Sequence, residues 1–260
     1  MSDENSSTLV VGYPNYVLFT PSSAPSRSPS VSPSPTKAPT KAPVKTSRTL
    51  SEPDRYGTVG IYSYLKGSDA VFPHQDDWIG SAAEPEYLYG STIGAEFGKG
   101  IAISADGNIV AVGSPGANTV QVFHKISFDG RISWPQKGNS ITPTDENEIN
   151  FGFRVGLSYD GMSLAISAPL SNSAPDDSGN VISSVGAIYV YDWDAINEAW
   201  KAGVSVAYGT TENQKLGIRG VAINPIEFSV HAVDDNGARL SYKVCQNSIE
   251  EVFFSHVYLN

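Results

Sequence analysis

The sequence predicts an all-β chain made of repeated four-stranded sheets. Three observations carry this: a 19-residue segment recurs without a gap, β-branched and aromatic runs alternate with turn residues, and a tryptophan follows those runs at similar spacing. Self-similarity of this kind marks stacked repeats, each too small to bury its own apolar surface.

The strongest element is the recurring segment itself. Phe97-Gly-Lys-Gly-Ile-Ala-Ile-Ser-Ala-Asp-Gly-Asn-Ile-Val-Ala-Val-Gly-Ser-Pro115 reappears 54 residues on as Phe151-Gly-Phe-Arg-Val-Gly-Leu-Ser-Tyr-Asp-Gly-Met-Ser-Leu-Ala-Ile-Ser-Ala-Pro169. Within each copy, apolar residues alternate on both sides of an Asp-Gly pair, which predicts two period-2 strands joined by a hairpin turn. A third strand follows at Thr58–Tyr62, Thr119–Phe123 and Ala187–Tyr191, each rich in β-branched and aromatic residues. Trp78, Trp134 and Trp200 begin the fourth. Thr8–Pro14 matches Ile109–Pro115, so the first unit starts at its second strand. A fourth unit opens at Leu216-Gly217 and continues through Phe228–Val233, Ala238–Cys245 and Val252–Tyr258, for about 15 strands in all.

Phe-Gly, an Asp-Gly turn, then Val-Gly-Ser-Pro or Ile-Ser-Ala-Pro resembles the FG-GAP repeat of integrin-α-type β-propellers, over about residues 57–245. The resemblance implies a β-propeller-like fold of about four four-stranded blades, the first truncated, in an incomplete ring. It also implies a non-enzymatic, adhesion-type module outside the cell or at its surface, binding a protein or glycan through loops on one face. The rival readings are a propeller hydrolase that uses carboxylates of that face, and a fragment of a longer FG-GAP repeat protein with no function of its own. Blades are predicted over residues 1–20 and 56–260, with 21–55 as an insertion inside the first blade.

Composition narrows the partners. Seventeen basic against 27 acidic residues give a net charge of −10, the wrong sign for a phosphate backbone. No apolar run reaches the ~20 residues of a membrane span, and Met1-Ser-Asp-Glu opens acidic where a secretory signal opens basic. The single cysteine, Cys245, excludes a disulfide within the chain. Residues 21–43 hold seven of the 17 prolines among Ser, Thr, Ala and Lys, a composition that favours an extended, solvated chain.

An up-and-down blade sends its 2–3 loop and its exit connection to one face, here termed upper. Acids expected there are Glu84, Glu86, Glu96, Asp145, Glu146, Glu148, Asp176, Asp177 and Glu212. No cofactor is expected. Calcium needs six or more oxygens, whereas the Asp106 and Asp160 turns each offer one carboxylate, so both read as turn formers. Asp176, Ser178 and Asn180 form the weak calcium candidate. Unpaired blade edges offer a route to association with another chain.

Overall fold

Each repeat begins with a glycine that no other residue can replace without strain. In the computed structural model, Gly98, Gly152 and Gly217 of the Phe-Gly or Leu-Gly pairs have φ of 92°, 90° and 81°, a region L side chains avoid. The residues before Phe97, Phe151 and Leu216 (Glu96, Asn150 and Lys215) also lie at positive φ. The recurrence makes this a structural turn shared by all three connections. The structure describes residues 6–14, 56–65, 86–129, 131–143, 149–174, 178–224, 229–245 and 248–251.

Among the described residues, sixteen strands form antiparallel sheets. Blade one contains β1 (Ser6–Tyr13), β2 (Thr58–Leu65) and β3 (Glu86–Tyr89); blade two contains β4 (Gly100–Ile103), β5 (Ile109–Ser114) and β6 (Thr119–His124). Blade three orders β9 (Arg154–Leu157), β10 (Ser163–Ala168), β11 (Ala187–Asp194) and β12 (Ala199–Tyr208) as 12-11-10-9. Blade four orders β13 (Gly220–Asn224), β14 (Ser229–Val233), β15 (Arg239–Cys245) and β16 (Ser248–Glu251) in sequence. The fold is all-β and propeller-like. Tyr13 pairs with Thr58, so residues 14–57 join two neighbouring strands of one blade.

One detail corrects the expected strands. Trp134 is buried but starts no regular strand: Gln136 and Ile141 reach β6 only through isolated bridges to Phe123 and Val120, with Gly138 at φ 74° between them. A separate hairpin, β7 (Ile126–Phe128) with β8 (Arg131–Ser133), fills the stretch before it. The last strand among the described residues is Ser248–Glu251, and the expected strand Val252–Tyr258 lies outside them.

The core sits between blades. Val59 and Ile61 of blade one meet Phe97, Val110 and Val112; Val120 and Val122 of blade two meet Phe151, Leu164 and Ile166; Ile188 and Val190 of blade three meet Leu216, Val230 and Ala232. Phe151 is fully buried and meets Tyr189 edge-on at 5.3 Å between centroids. Small residues let the sheets approach. A Cβ on Gly113 would lie 1.9 Å from the Gly152 carbonyl oxygen, and one on Gly12 would lie 2.2 Å from that of Gly98. The Gly-Tyr-Pro and Gly-Ser-Pro ends of β1 and β5 therefore meet the Phe-Gly pairs across the first two blade junctions.

Candidate functional site

The upper and lower ends of the blades differ in chemistry. Below, the β4–β5 and β9–β10 turns are closed by their own side chains. Ser104 Oγ donates to Asp106 Oδ1 at 2.5 Å and accepts from the Ile109 amide at 2.9 Å; Ser158 Oγ donates to Asp160 Oδ1 at 2.6 Å. The hydrogen bond from Ser158, then that from the Met162 amide, holds the Asp160 carboxyl below its ordinary range. For Asp106, burial opposes the charge, but bonds from Ser104 and Asn108 outweigh it and the shift is again downward. Their oxygens are engaged in the turns. At the upper end of blade four, in the β14–β15 loop, Asp234 Oδ1 accepts from the Asn236 and Ala238 amides at 3.0 and 2.8 Å.

Above, the β5–β6 loop is a single 3-10 turn, Pro115–Ala117, ended by Asn118 in the left-handed region. The connection from blade one lies over it, with Gly116 N donating to Ala95 O at 3.1 Å. Between them lies a cavity of about 140 Å³ lined by Ser91, Thr92, Ser114, Thr119, Gln121 and Ser140, with Ala95, Phe97 and Ala117. Its polar groups are uncharged, and two are held by hydrogen bonds: Thr119 Oγ1 donates to Ala117 O at 2.9 Å, and Gln121 Nε2 to Gln136 Oε1 at 2.9 Å. Gln136 Nε2 in turn donates to Ser140 Oγ at 3.2 Å. Sequence reasoning missed this cavity because three distant segments contribute to it.

Of the expected acids, the three among the described residues, Glu86, Glu96 and Glu212, do not line it. Glu84, Asp145, Glu146, Glu148, Asp176 and Asp177 lie outside the described residues. Glu86 is displaced from the upper rim: it starts the ascending β3 and pairs with Ile61, three residues below Thr58. Glu96 does lie in the upper connection, 3.8 Å from Lys99 Nζ, and Glu212 is exposed in the connection to blade four. Ser178 and Asn180 are exposed, with Asp176 outside the described residues. Among the described residues no three His, Cys, Asp or Glu side chains gather as a metal site. His231 is bound within its blade, Nε2 at 3.1 Å from Ser229 Oγ and Nδ1 at 2.7 Å from Ser241 Oγ.

No family model matches the chain, and no curated protein does. Solved structures do. A proposed 6-phosphogluconolactonase from Bacteroides fragilis matches at 14% identity and TM-score 0.47, over 76% of this chain and 50% of its own. The periplasmic gluconolactonase of Pseudomonas aeruginosa matches at 14% and 0.45, over 78% and 52%, and Sqt1 of Chaetomium thermophilum at 13% and 0.46, over 75% and 39%. The chain thus spans about half the length, or less, of these propeller proteins. These findings correct two expectations. The FG-GAP, integrin-like assignment is not sustained, because no family model matches and these structures are lactonases and Sqt1; the residues that suggested it are those that let blades pack. The non-enzymatic assignment is set aside as well, since two of the three structures carry lactonase names.

Proposed function

We propose that the upper face binds a polyhydroxylated ligand, a saccharide or sugar-derived compound, in the cavity between blades one and two. The observation that carries this is the lining: hydroxyls of Ser91, Thr92, Ser114, Thr119 and Ser140 and the Gln121 amide converge on one space with no charged group among them. Hydroxyl and amide groups both donate and accept, which suits a ligand whose own hydroxyls do the same. The floor is apolar, Phe97 and Ala95, and fits the C–H face of a sugar ring. A protein ligand would be expected to use a larger surface with aromatic anchors.

Titration calorimetry against a panel of monosaccharides and sugar lactones tests the reading. A saturable site should weaken about tenfold or more on Gln121→Leu, and Thr92→Val should weaken it further. Saturable binding that neither substitution alters would sink the proposal. Hydrolysis is the second reading, drawn from the lactonase names, with Glu96 between the lining residues Ala95 and Phe97 as the candidate base. Lactone turnover lost in Glu96→Gln with binding retained would favour hydrolysis; turnover unchanged by Glu96→Gln would exclude that role.

A further inference from the structure

The connection into blade two and the connection into blade four fold alike. Gly90 N donates to Gly57 O at 3.1 Å in the first, and Gly209 N to Gly186 O at 2.9 Å in the second. Ala95 N reaches Thr92 O at 3.3 Å, as Gln214 N reaches Thr211 O at 3.1 Å. Lys99 N reaches Glu96 O at 3.0 Å, as Ile218 N reaches Lys215 O at 3.1 Å. Backbone angles agree as well: φ is 74° at Gly94 and 58° at Asn213, then 55° at Glu96 and 52° at Lys215. Residues 90–99 therefore correspond in register to residues 209–218. Ser91, Thr92 and Ala95 stand where Thr210, Thr211 and Gln214 stand. Gly100 pairs with Gly113 and Gly220 with Val233, so the next residues, Ser114 and Asp234, correspond too.

One side chain decides whether the space between connection and blade is filled. Gln214 is buried, and its Oε1 accepts from the Thr210 amide at 2.7 Å and the Thr211 amide at 3.2 Å. The Thr211 hydroxyl donates to the same oxygen at 3.4 Å. Gln214 Nε2 donates across the junction to Asp234 Oδ2 at 3.4 Å, so this carboxamide is held at both ends. Ala95 has no such group to offer, and the hydroxyl-lined cavity of about 140 Å³ opens in its connection. Among the described residues, no group accepts from the Ser91 or Thr92 amide. Two adjacent amides aimed at one point form a seat for a carbonyl oxygen. No cation lines the cavity and Glu96 stands next to Ala95, so a neutral carbonyl suits that seat better than a carboxylate or phosphate.

We infer that the cavity holds its ligand by a carboxamide, in the place that Gln214 fills with its own side chain in the connection into blade four. The ligand's carbonyl oxygen accepts from the Ser91 and Thr92 amides and from the Thr92 hydroxyl. Its N–H donates to Ser114 Oγ, which stands in the position of Asp234. A carboxamide accepts at one atom and donates at the other, as the two ends of the seat require. On a sugar-like ligand the group is an acetamido substituent; that detail deepens the function proposed above and rests on it.

Titrations of the full chain with N-acetylglucosamine, glucose and propionamide test this, followed by calorimetry and by the amide resonances of isotope-labelled protein. N-acetylglucosamine should bind about tenfold or more tightly than glucose, because only it satisfies the paired amides. Both carboxamides should move the Ser91 and Thr92 resonances. Ala95→Gln should seat its own carboxamide and abolish these effects, while Tm holds or rises. If Ala95→Gln melts early, Gln214→Ala gives the reciprocal test: it vacates the other seat, and propionamide should restore part of the lost Tm. Ser91 and Thr92 resonances that neither carboxamide moves overturn the inference, as does binding that a folded Ala95→Gln leaves unchanged. Glucose binding as tightly as N-acetylglucosamine overturns the acetamido assignment and leaves the sugar reading standing. Propionamide seated at Ser91 and Thr92 with no sugar bound does the opposite: the carboxamide seat stands and the sugar reading falls.

Discussion

Gly113→Ala probes the contact on which blade stacking depends. The added methyl would start 1.9 Å from Gly152 O, and ordinary contact begins at 3.4 Å, so the two backbones must part by 1.5 Å. Neither can yield alone. Gly113 sits mid-sheet between β4 and β6, and Gly152 N is anchored to Ser167 O at 3.0 Å. A gap of 0.5 to 1 Å already forfeits roughly a quarter to a half of each dispersion contact, and Val120, Val122, Phe151 and Ile166 all lie in this junction. Overpacking usually costs about 1 to 3 kcal/mol, and with rigid backbone on both sides we expect the upper end, about 3 kcal/mol. For a chain of this size that lowers Tm by roughly 6 to 12 °C. Gly220→Ala is the control: nothing lies within 4 Å of its would-be Cβ and its φ is ordinary, so Tm should hold or rise slightly. Circular-dichroism melts of the two variants decide the matter. If Gly113→Ala melts with the wild type, or Gly220→Ala falls as far, close backbone approach does not hold the blades together.

Phe151→Ala should cost about 3 to 5 kcal/mol by denaturant titration, since the ring is fully buried against Tyr189 and Tyr191. The folded carboxyls of Asp106 and Asp160 titrate below their ordinary range, so the stability they contribute is complete above about pH 4 and is lost as pH falls through their lowered values. Urea titrations at pH 5 and pH 3 should therefore show a loss that Asp160→Asn reduces, while an equal loss in that variant would put the acid sensitivity elsewhere. Excising residues 21–48 should leave the melting transition in place, because shortening a loop changes its closure entropy by only about 1 kcal/mol. A chain that no longer folds would show that those residues pack. Adding EGTA should leave Tm unchanged, and a drop would reveal a bound ion that the Asp106 and Asp160 turns do not supply.

Much of the architecture was legible because it rests on residues that must recur. Period-2 alternation around Asp106-Gly107 and Asp160-Gly161 gave both hairpins, and the Thr8–Pro14 match placed β1 as a second strand. The fourth strand of blade two was not legible. Its Trp134 is followed by Pro135 and Gly138, which leave bridges where a ladder was expected, whereas Trp200 does open the regular β12. Acids were easy to count but hard to place. Glu86 lies near the rim residues in sequence, yet strand direction sets it at the start of β3. The hydroxyl cavity gave no signal at all, because its lining comes from residues 90–97, 114–121 and 140.

The repeats also show where function can differ between blades. Phe97, Gly98 and Gly113, and their counterparts Phe151, Gly152 and Ser167, are fixed by packing, so they recur and say nothing about a ligand. The positions at the top of strands two and three are not so constrained. Tyr13, Thr58 and Gly60 occupy them in blade one, Ser114, Thr119 and Gln121 in blade two, and Ala168, Ala187 and Tyr189 in blade three. In blade three they are buried and closed, with Phe151 against Tyr189. In blade two the same positions line the uncharged cavity, and in blade one Tyr13 and Thr58 line a second pocket with Tyr87 and Tyr89. One backbone site thus carries a closed core, a polar cavity and an aromatic pocket in three successive blades. Packing holds the site in place, and its side chains, free of that duty, set what each blade can bind.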